Sequence, residues 1–129
     1  MTLVLGGNNN MESILNSVKA FVGISDEETH FDPELIVHIN SVFSTLRQMG
    51  VGPEQTFSIN DENDIWNDFI DDDDFNEVKT YVQLRVKMIF DPPSSSSVID
   101  AFERQIKELE WRLTVSASNK AMEGTDDDE

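Results

Sequence analysis

The feature that most constrains the fold is an interruption between two helical patterns, at residues 90–97, which reads FDPPSSSS. A residue before proline is disfavoured in the α conformation, and the two prolines supply no backbone donors, so a helix must end there. The serines that follow offer an N-cap for the next helix, at Ser96 or Ser97. The segment therefore predicts two long helices that fold back on one another as an αα-hairpin.

Helical periodicity flanks this turn on both sides. The preceding stretch begins near Asp73 or Asp74 and runs to Phe90 with a wide apolar arc, which is typical of a central helix. The following stretch runs from Val98 to about Val115. Its apolar residues recur every three or four positions on one stripe: Ile99, Phe102, Ile106, Leu109 and Leu113. We expect the two helices to share one core.

Two further amphipathic helices are predicted upstream of this pair. The first covers residues 11–22 after an N-cap at Asn10, and the second runs from an N-cap at Asp32, followed by a proline, to Gly50. One more helical turn, docked by its apolar side, is indicated by Ile65, Trp66, Phe69 and Ile70. The fold class is therefore all-α, a small helical bundle with a C-terminal αα-hairpin.

The length of 129 residues predicts a single domain. We expect a flexible N-terminal arm at residues 1–10, a helical domain at residues 11–117 and an acidic tail at residues 118–129, where the periodicity fades. No apolar run reaches the roughly 20 residues of a membrane span, and no secretory signal is present, so we expect a cytosolic origin and no membrane contact. The absence of cysteine excludes disulfides, thiolate metal sites and a cysteine nucleophile.

The charge of the chain is concentrated in two segments. The sequence carries 26 acidic against 9 basic side chains, a formal charge of −17. Residues 61–74 hold eight acids and residues 123–129 hold five, with no base in either segment. A protein of this charge does not bind nucleic acid through phosphate contacts, because those require a basic face.

The run of four acids at residues 71–74 does not have the spacing of a calcium-binding loop. Such a loop needs acids at alternate positions and a central glycine, but counting from Asp61 places Ile65 and Trp66 at the fifth and sixth positions. We interpret the run as a solvated loop that leads into a helix N-terminus.

No constellation of residues predicts catalysis. His30 and His38 are the only histidines, and neither has a serine or aspartate at the spacing of a catalytic triad. No glycine-rich phosphate loop follows a strand pattern. We therefore expect neither enzymatic activity nor a cofactor.

Two residues have both a structural and an interfacial interpretation. Arg85 falls inside the apolar arc of its helix, either as a stem that snorkels to a carboxylate of the first or second helix, or as half of an intersubunit ion pair. Trp111 points off the apolar stripe of the last helix. It is either an edge-of-core residue or a binding anchor, since tryptophan is enriched in interface hot spots.

The order of these features resembles that of a group of small phage proteins. The matching parts read SILNSVKAFVGI, FDPELIVHINSVFSTLRQMGVGP and VKTYVQLRVKMIFDPPSSSSVIDAFERQIKELEWRL. The most specific element is IFDPP followed by IKELEWRL. Residues 11–115 carry the resemblance, which is to the head–tail connector, or adaptor, proteins of long-tailed bacteriophages.

The resemblance implies a structural protein of the virion neck that is assembled in the host cytoplasm. Copies would form a homo-oligomeric ring, a dodecamer, between the portal protein and the head-closure or tail proteins, and DNA would pass through the centre without specific binding. In related adaptors the C-terminal region embraces the portal. Candidate residues for the portal or intersubunit interface are Arg85, Trp111, Arg112, Leu113 and Val115.

The acidic segments fit a DNA conduit, because like charges repel phosphates on close approach. Candidate channel-lining acids are Asp71, Asp72, Asp73 and Asp74. The alternative function is a soluble acidic inhibitor that mimics DNA and occupies a nucleic-acid-binding enzyme. A mimic should spread its acids at phosphate-like spacing along one face, whereas the helices between the two acidic segments are nearly balanced in charge.

Overall fold

The computed structural model describes residues 11–127, so the predicted arm at residues 1–10 lies outside the described residues. Four α-helices make up the fold: α1 (Ile14–Val22), α2 (Asp32–Gln48), α3 (Phe75–Phe90) and α4 (Ser96–Asp127). Between residues 11 and 127 there is no strand, and the only strand-like pairing is an isolated bridge between Ser13 and Ile65. The prediction of an all-α fold is confirmed.

The α1 helix begins later than its apolar pattern predicted. Ser13, not Asn10, is the N-cap, and its side chain accepts a hydrogen bond from the Asn16 backbone. The preceding residues pair with a distant loop instead, since the Ile14 N–H donates to the Asp64 carbonyl and the Trp66 N–H donates to the Glu12 carbonyl. Because the preceding residues pair with this loop, α1 begins three residues after the predicted start at Met11.

The core is built around α3, which contacts each of the other three α-helices. Its buried residues include Val78, Tyr81, Val82 and Val86, which confirms the central position that the wide apolar arc predicted. The loop between α2 and α3 also contributes to the core. Trp66 lies fully buried in a short 3-10 turn (Trp66–Asp68), and its indole N–H donates to the Ser17 hydroxyl at 2.9 Å.

The αα-hairpin predicted at residues 90–97 is present. The α3 helix ends at Phe90, α4 begins at Ser96, and α4 packs back on α3. The cap of α4 differs from the prediction: the Ser95 side chain accepts from the Val98 N–H at 3.4 Å, and the Ser95 carbonyl accepts from the Ile99 N–H. The capping residue is therefore Ser95, one position before the serines that the sequence suggested.

The α4 helix is longer than predicted. It was expected to end near Val115, but it continues without a break to Asp127. The polar composition after Ala117 suggested a tail without regular structure, whereas these residues extend the helix. The division of the chain into arm, domain and tail stays a prediction, because a continuous helix does not mark where a domain ends.

Candidate functional site

The most distinctive feature of the molecule is the length of α4. With 32 residues it is about 48 Å long, whereas α3 has 16 residues and is about 24 Å long. Because the two helices run antiparallel from a tight turn, the second half of α4 passes the start of α3. Beyond Leu113, residues 114–123 of α4 bury no large apolar side chain, and only Ala117 among them packs against the core, so we call the part of α4 from Trp111 onward, whose outer side is uncovered, its projecting half.

A polar cluster anchors the projecting half where it leaves the body. Asp74, the residue before α3, accepts hydrogen bonds from the Ser116 hydroxyl at 3.1 Å and from the Lys120 ammonium at 2.8 Å. The hydrogen bond that the Lys120 ammonium donates to Asp74 raises the pKa of Lys120 above its ordinary value, against the opposing effect of partial burial. Asp71 approaches the same ammonium at 3.9 Å. The anchor is thus electrostatic.

This cluster changes the interpretation of the four candidate channel-lining acids. Asp74 was predicted to line the channel, but its side chain is 16% exposed and accepts hydrogen bonds from α4. The side chains of Asp71 and Asp73 are exposed. Nothing is described of the side chain of Asp72. Two described acids of the run are therefore available to a channel.

The α4 face turned away from the core carries the exposed apolar residues of the projecting half. Trp111 is 67% exposed, and Val115 and Met122 follow it four and eleven positions later on the same face. The edge-of-core interpretation of Trp111 is therefore wrong. We call Trp111, Val115, Ser118 and Met122 the outer face of α4. A groove of about 590 Å³ runs between part of this face and the Asp73 side of the acidic run.

The other predicted interface residues lie in different surroundings. Arg112 is exposed and pairs with Glu108 one turn earlier at 2.7 Å. Leu113 was expected at an interface, but it is 1% exposed and belongs to the core, because it continues the stripe of Ile106 and Leu109. Leu113 is thus corrected from an interface residue to a core residue.

Arg85 takes part in a hydrogen-bonded cluster between α3 and α4. Its guanidinium donates to the Tyr81 hydroxyl at 2.7 Å and lies 3.3 Å from a Glu110 oxygen, and that same oxygen accepts from the Tyr81 hydroxyl at 2.8 Å. Its carboxylate partner within the subunit is therefore on α4 and not on the first or second helix, and the intersubunit ion pair stays a prediction. Burial, together with the hydrogen bond to Glu110, raises the pKa of Tyr81 to about 12.

A second surface groove lies between α3 and α4 near the hairpin turn. It has a volume of about 420 Å³ and is lined by Met88, Ile89 and Ile106, with charged side chains at its rim. Ile89 is half exposed. This groove was not predicted, because Met88 and Ile89 belong to an apolar arc that was assigned wholly to the core.

The sequence analysis also did not identify two polar residues that hold loops against α1 and α2, in the part of the protein on which α4 packs. Lys19 is fully buried, and its ammonium lies 2.8 Å from Asp32 and donates to the Asp26 carbonyl. The Asn40 amide donates to the Ile59 carbonyl at 3.1 Å and accepts from the Ile59 N–H at 2.8 Å. No local sequence pattern predicts either contact, because the partners of Lys19 lie beyond a turn and the partner of Asn40 lies in a distant loop.

The described surface offers several features that a protein partner can contact. Between residues 11 and 127, no three or more His, Asp or Glu side chains lie close enough together to hold a metal ion. None of the helices in this part of the chain combines the length and the apolar character needed to cross a membrane. The projecting α4 helix and the two grooves are the features that a protein partner can recognise.

Comparison with known protein families identifies the chain at the level of its family. The family model described as "Phage connector protein" matches residues 14–120, which covers α1, α2, α3 and α4 up to the Asp74 anchor. Neither the curated proteins nor the solved structures contain a match to this sequence. The family match covers more than half of the chain, and the chain therefore belongs to the phage connector protein family.

Proposed function

We propose that this protein is a subunit of a homo-oligomeric ring in the phage neck, between the portal protein and the head-closure or tail proteins. Membership of the connector family supports a structural role in the virion. The observation that carries the proposal further is the projecting half of α4, which presents an exposed tryptophan on a helix with no covering element among the described residues. Such a helix is suited to docking against a larger assembly. We propose a dodecameric ring with DNA in its central channel.

The projecting half of α4 is the proposed portal contact. Trp111 and Met122 offer apolar anchors about 16 Å apart along one face, since eleven residues of helix rise by that distance. The Asp74 cluster holds the root of this half in a fixed direction. Pre-organising the helix in this way lowers the entropy lost when the portal binds.

Truncation after Ala117 tests the portal contact. The remaining chain keeps every buried core residue of α4, so we expect its melting temperature to stay close to that of the full chain. We expect binding to the portal, measured by sedimentation with purified portal rings, to be strongly weakened. Lys120→Ala is the matched control, because it removes the ammonium that binds Asp74 but keeps the outer face. Unchanged portal affinity after truncation would show that the residues after Ala117, including Met122, are not part of the portal contact.

Electron microscopy tests the ring itself. Negative-stain images of the protein mixed with its portal should show a second ring coaxial with the portal. A mixture that contains only bare portals at saturating protein concentration would contradict the connector assignment at the level of assembly.

The proposed channel is tested at Asp71 and Asp73, the two exposed acids described in the run of residues 71–74. The double variant Asp71→Asn with Asp73→Asn removes two exposed charges and keeps the Asp74 anchor. We expect normal ring assembly but slower DNA ejection from reconstituted particles, because a neutral channel wall no longer repels phosphates. Equal ejection rates would remove this segment from the channel.

A further inference from the structure

The outer side of α4 carries charge as well as apolar groups, and their order along the helix is informative. Near the N-terminal half, Arg104 and Lys107 are exposed, and within the described part of the chain neither has a carboxylate at ion-pair distance. In a chain with 26 acids and 9 bases, two unpaired cations on one helix face are unexpected. They are available to acids outside the subunit.

The middle of the same side is apolar with the spacing of a helix-pairing seam. Trp111, Val115, Ser118 and Met122 follow one another at intervals of 4, 3 and 4 residues. This alternation is the spacing with which two helices interdigitate in a coiled coil. The seam lies opposite the stripe of Ile106, Leu109 and Leu113 that packs into the core, so it stays open when α4 docks on α3.

The far end of the helix is acidic. Glu123 is exposed, and Asp126 and Asp127 follow it before α4 ends. Along this side of α4, two unpaired cations therefore come before the apolar seam and Asp126 comes after it, while the exposed Asp100 lies one turn before Arg104 on the same side. Two copies laid side by side in the same direction would place acid against acid, which costs free energy. Laid in opposite directions, they place cations against acids and apolar groups against apolar groups.

We propose that a second copy of this chain docks on the outer face of α4, so that the free protein forms a two-fold, antiparallel α4–α4 pair. The register that centres the apolar seam sets Trp111 against Met122 of the partner subunit, and Val115 against Ser118 of the partner subunit. The same register brings Lys107 level with Asp126 of the partner subunit. A two-fold contact of this kind uses one self-complementary patch on both copies. The Trp–Met contact at each end supplies an aromatic–thioether interaction.

This pairing goes beyond the connector role and regulates it. A two-fold contact between two copies cannot be repeated by equivalent subunits around a single-layer ring, so the pair is a state of the free protein. It covers Trp111, the anchor proposed for the portal. Pairing and portal docking therefore exclude one another, and the portal must displace the second copy. Free subunits would then be protected from association before a portal is present.

The first test measures association of the full chain by sedimentation velocity over a concentration series. We expect a reversible monomer–dimer equilibrium. Lys107→Glu should raise the dimer dissociation constant at least about tenfold by placing acid against acid, and Trp111→Ala should do the same by removing the anchor. Lys87→Glu is the matched control, because it changes the net charge equally but lies on α3, and it should leave the equilibrium unchanged.

The second test determines the direction of the pair and uses the absence of cysteine from the chain. A mixture of Val115→Cys and Ser118→Cys variants should form a mixed disulfide under mild oxidation. Met122→Cys alone should not, because the antiparallel register separates the two Met122 positions by about 16 Å along the helix axis.

Three results would overturn the proposal: a folded chain that stays monomeric throughout the series, a free chain that sediments as a ring, or an efficient disulfide between two Met122→Cys copies. The last result would indicate a parallel pair. None of them contradicts the connector assignment, which is judged by coaxial rings in the presence of portal, so the two proposals fail independently.

Discussion

At the scale of single residues, this protein depends on a few polar side chains that connect elements distant in sequence. Lys19 connects the end of α1 to the start of α2, Asn40 holds the backbone of the long loop at Ile59, and Tyr81 connects α3 to α4. Each replaces a hydrogen bond to water by one inside the protein. Their loss is costly because the group left behind is buried and unpaired.

Lys19 gives the first stability prediction. Lys19→Met keeps the apolar stem but removes the charge, which leaves Asp32 and the Asp26 carbonyl without their partner. We expect a loss of about 3 kcal/mol in the free energy of unfolding, as for a buried pair broken on one side. The measurement is urea denaturation.

Lys79→Met serves as its control. The Lys79–Glu12 pair is about a quarter to a third exposed on each side, so its removal should cost less than about 1 kcal/mol. Equal losses in the two variants would show that burial does not set the strength of the Lys19 pair.

Tyr81 gives a prediction that can be observed directly, because it is the only tyrosine in the chain. Its pKa in the folded protein is about 12, against 10.0 for the unperturbed side chain. The raised pKa means that the stabilising effect of the neutral phenol is complete below pH 10 and is lost as the pH rises towards 12. Absorbance at 295 nm should therefore show tyrosinate formation late, together with unfolding.

The variant Glu110→Gln should shift this titration to lower pH. It removes the carboxylate that accepts from the Tyr81 hydroxyl and whose charge opposes ionisation. Glu103→Gln, at an exposed position on the same helix, should leave the titration unchanged. A midpoint near 10 in the intact protein would contradict the buried geometry of Tyr81.

At the scale of elements, the hairpin and the four helices could be predicted from local patterns, whereas the start of α1 and the end of α4 could not. The prolines after Phe90 fix the turn, and the stripe from Ile106 to Leu113 fixes the packed face of α4. The start of α1 depends on backbone pairing with residues 64–66, and the length of α4 depends on Asp74, which is 42 residues away from Ser116. Such pairings leave no periodic signal in the sequence.

The site was predictable to a similar extent. Trp111 could be identified as a possible anchor from its position off the apolar stripe, but its exposure could not be decided without the packing of α4 on α3. Leu113 was misassigned because neighbours in sequence were grouped with Trp111, although 100° of rotation per residue places the two on different sides of the helix. The spacing of Val115, Ser118 and Met122 was available in the sequence as a signal for the longer helix.

The hairpin gives a prediction at this scale. Leu113→Ala should cost about 3–5 kcal/mol in the free energy of unfolding, because the side chain is fully buried and its loss leaves a cavity. Thr114→Ala, at the next and exposed position, should change stability by no more than about 0.5 kcal/mol. Similar urea midpoints for the two variants would contradict the packing of α4 on the core.

The cap of α4 gives a second prediction for the hairpin. Ser95→Ala removes the side-chain acceptor for the Val98 N–H and should cost about 0.5–1 kcal/mol. Ser94→Ala should have almost no effect, since Ser94 lies before the cap. If Ser97→Ala were the only costly substitution in the serine run, Ser97 and not Ser95 would be the cap.

At the scale of the whole molecule, the electrostatics are dominated by the net charge of −17 on a small domain. The negative charge does not extend into the core. Lys19 is the only buried charged side chain among the described residues, and its counterion, Asp32, lies beside it. The acids lie on the surface, where they repel one another through solvent. This repulsion opposes the compact state and keeps free subunits from clustering without specificity.

The whole-molecule prediction is that salt stabilises the folded chain. Raising the ionic strength from 0.01 M to 0.15 M shortens the screening length from about 30 Å to about 8 Å, which weakens repulsion between distant acids. The exposed ion pairs, such as Arg112–Glu108, are weakened as well, but each contributes little. Screening of the repulsion therefore outweighs the loss of these pairs. The melting temperature should rise with sodium chloride when measured at low protein concentration, where the chain is monomeric.

The double variant Asp71→Asn with Asp73→Asn provides the internal control for that measurement. It removes two negative charges from the most acidic part of the surface and leaves the Lys120–Asp74 contact in place. Its melting temperature should rise less with salt than that of the unmodified chain, because less repulsion remains to be screened. A melting temperature that falls with salt would mean that local ion pairs, and not the net charge, set the electrostatic contribution to stability. In that case the acidic segments would have to be paired within the fold to a greater extent than Asp74 alone accounts for.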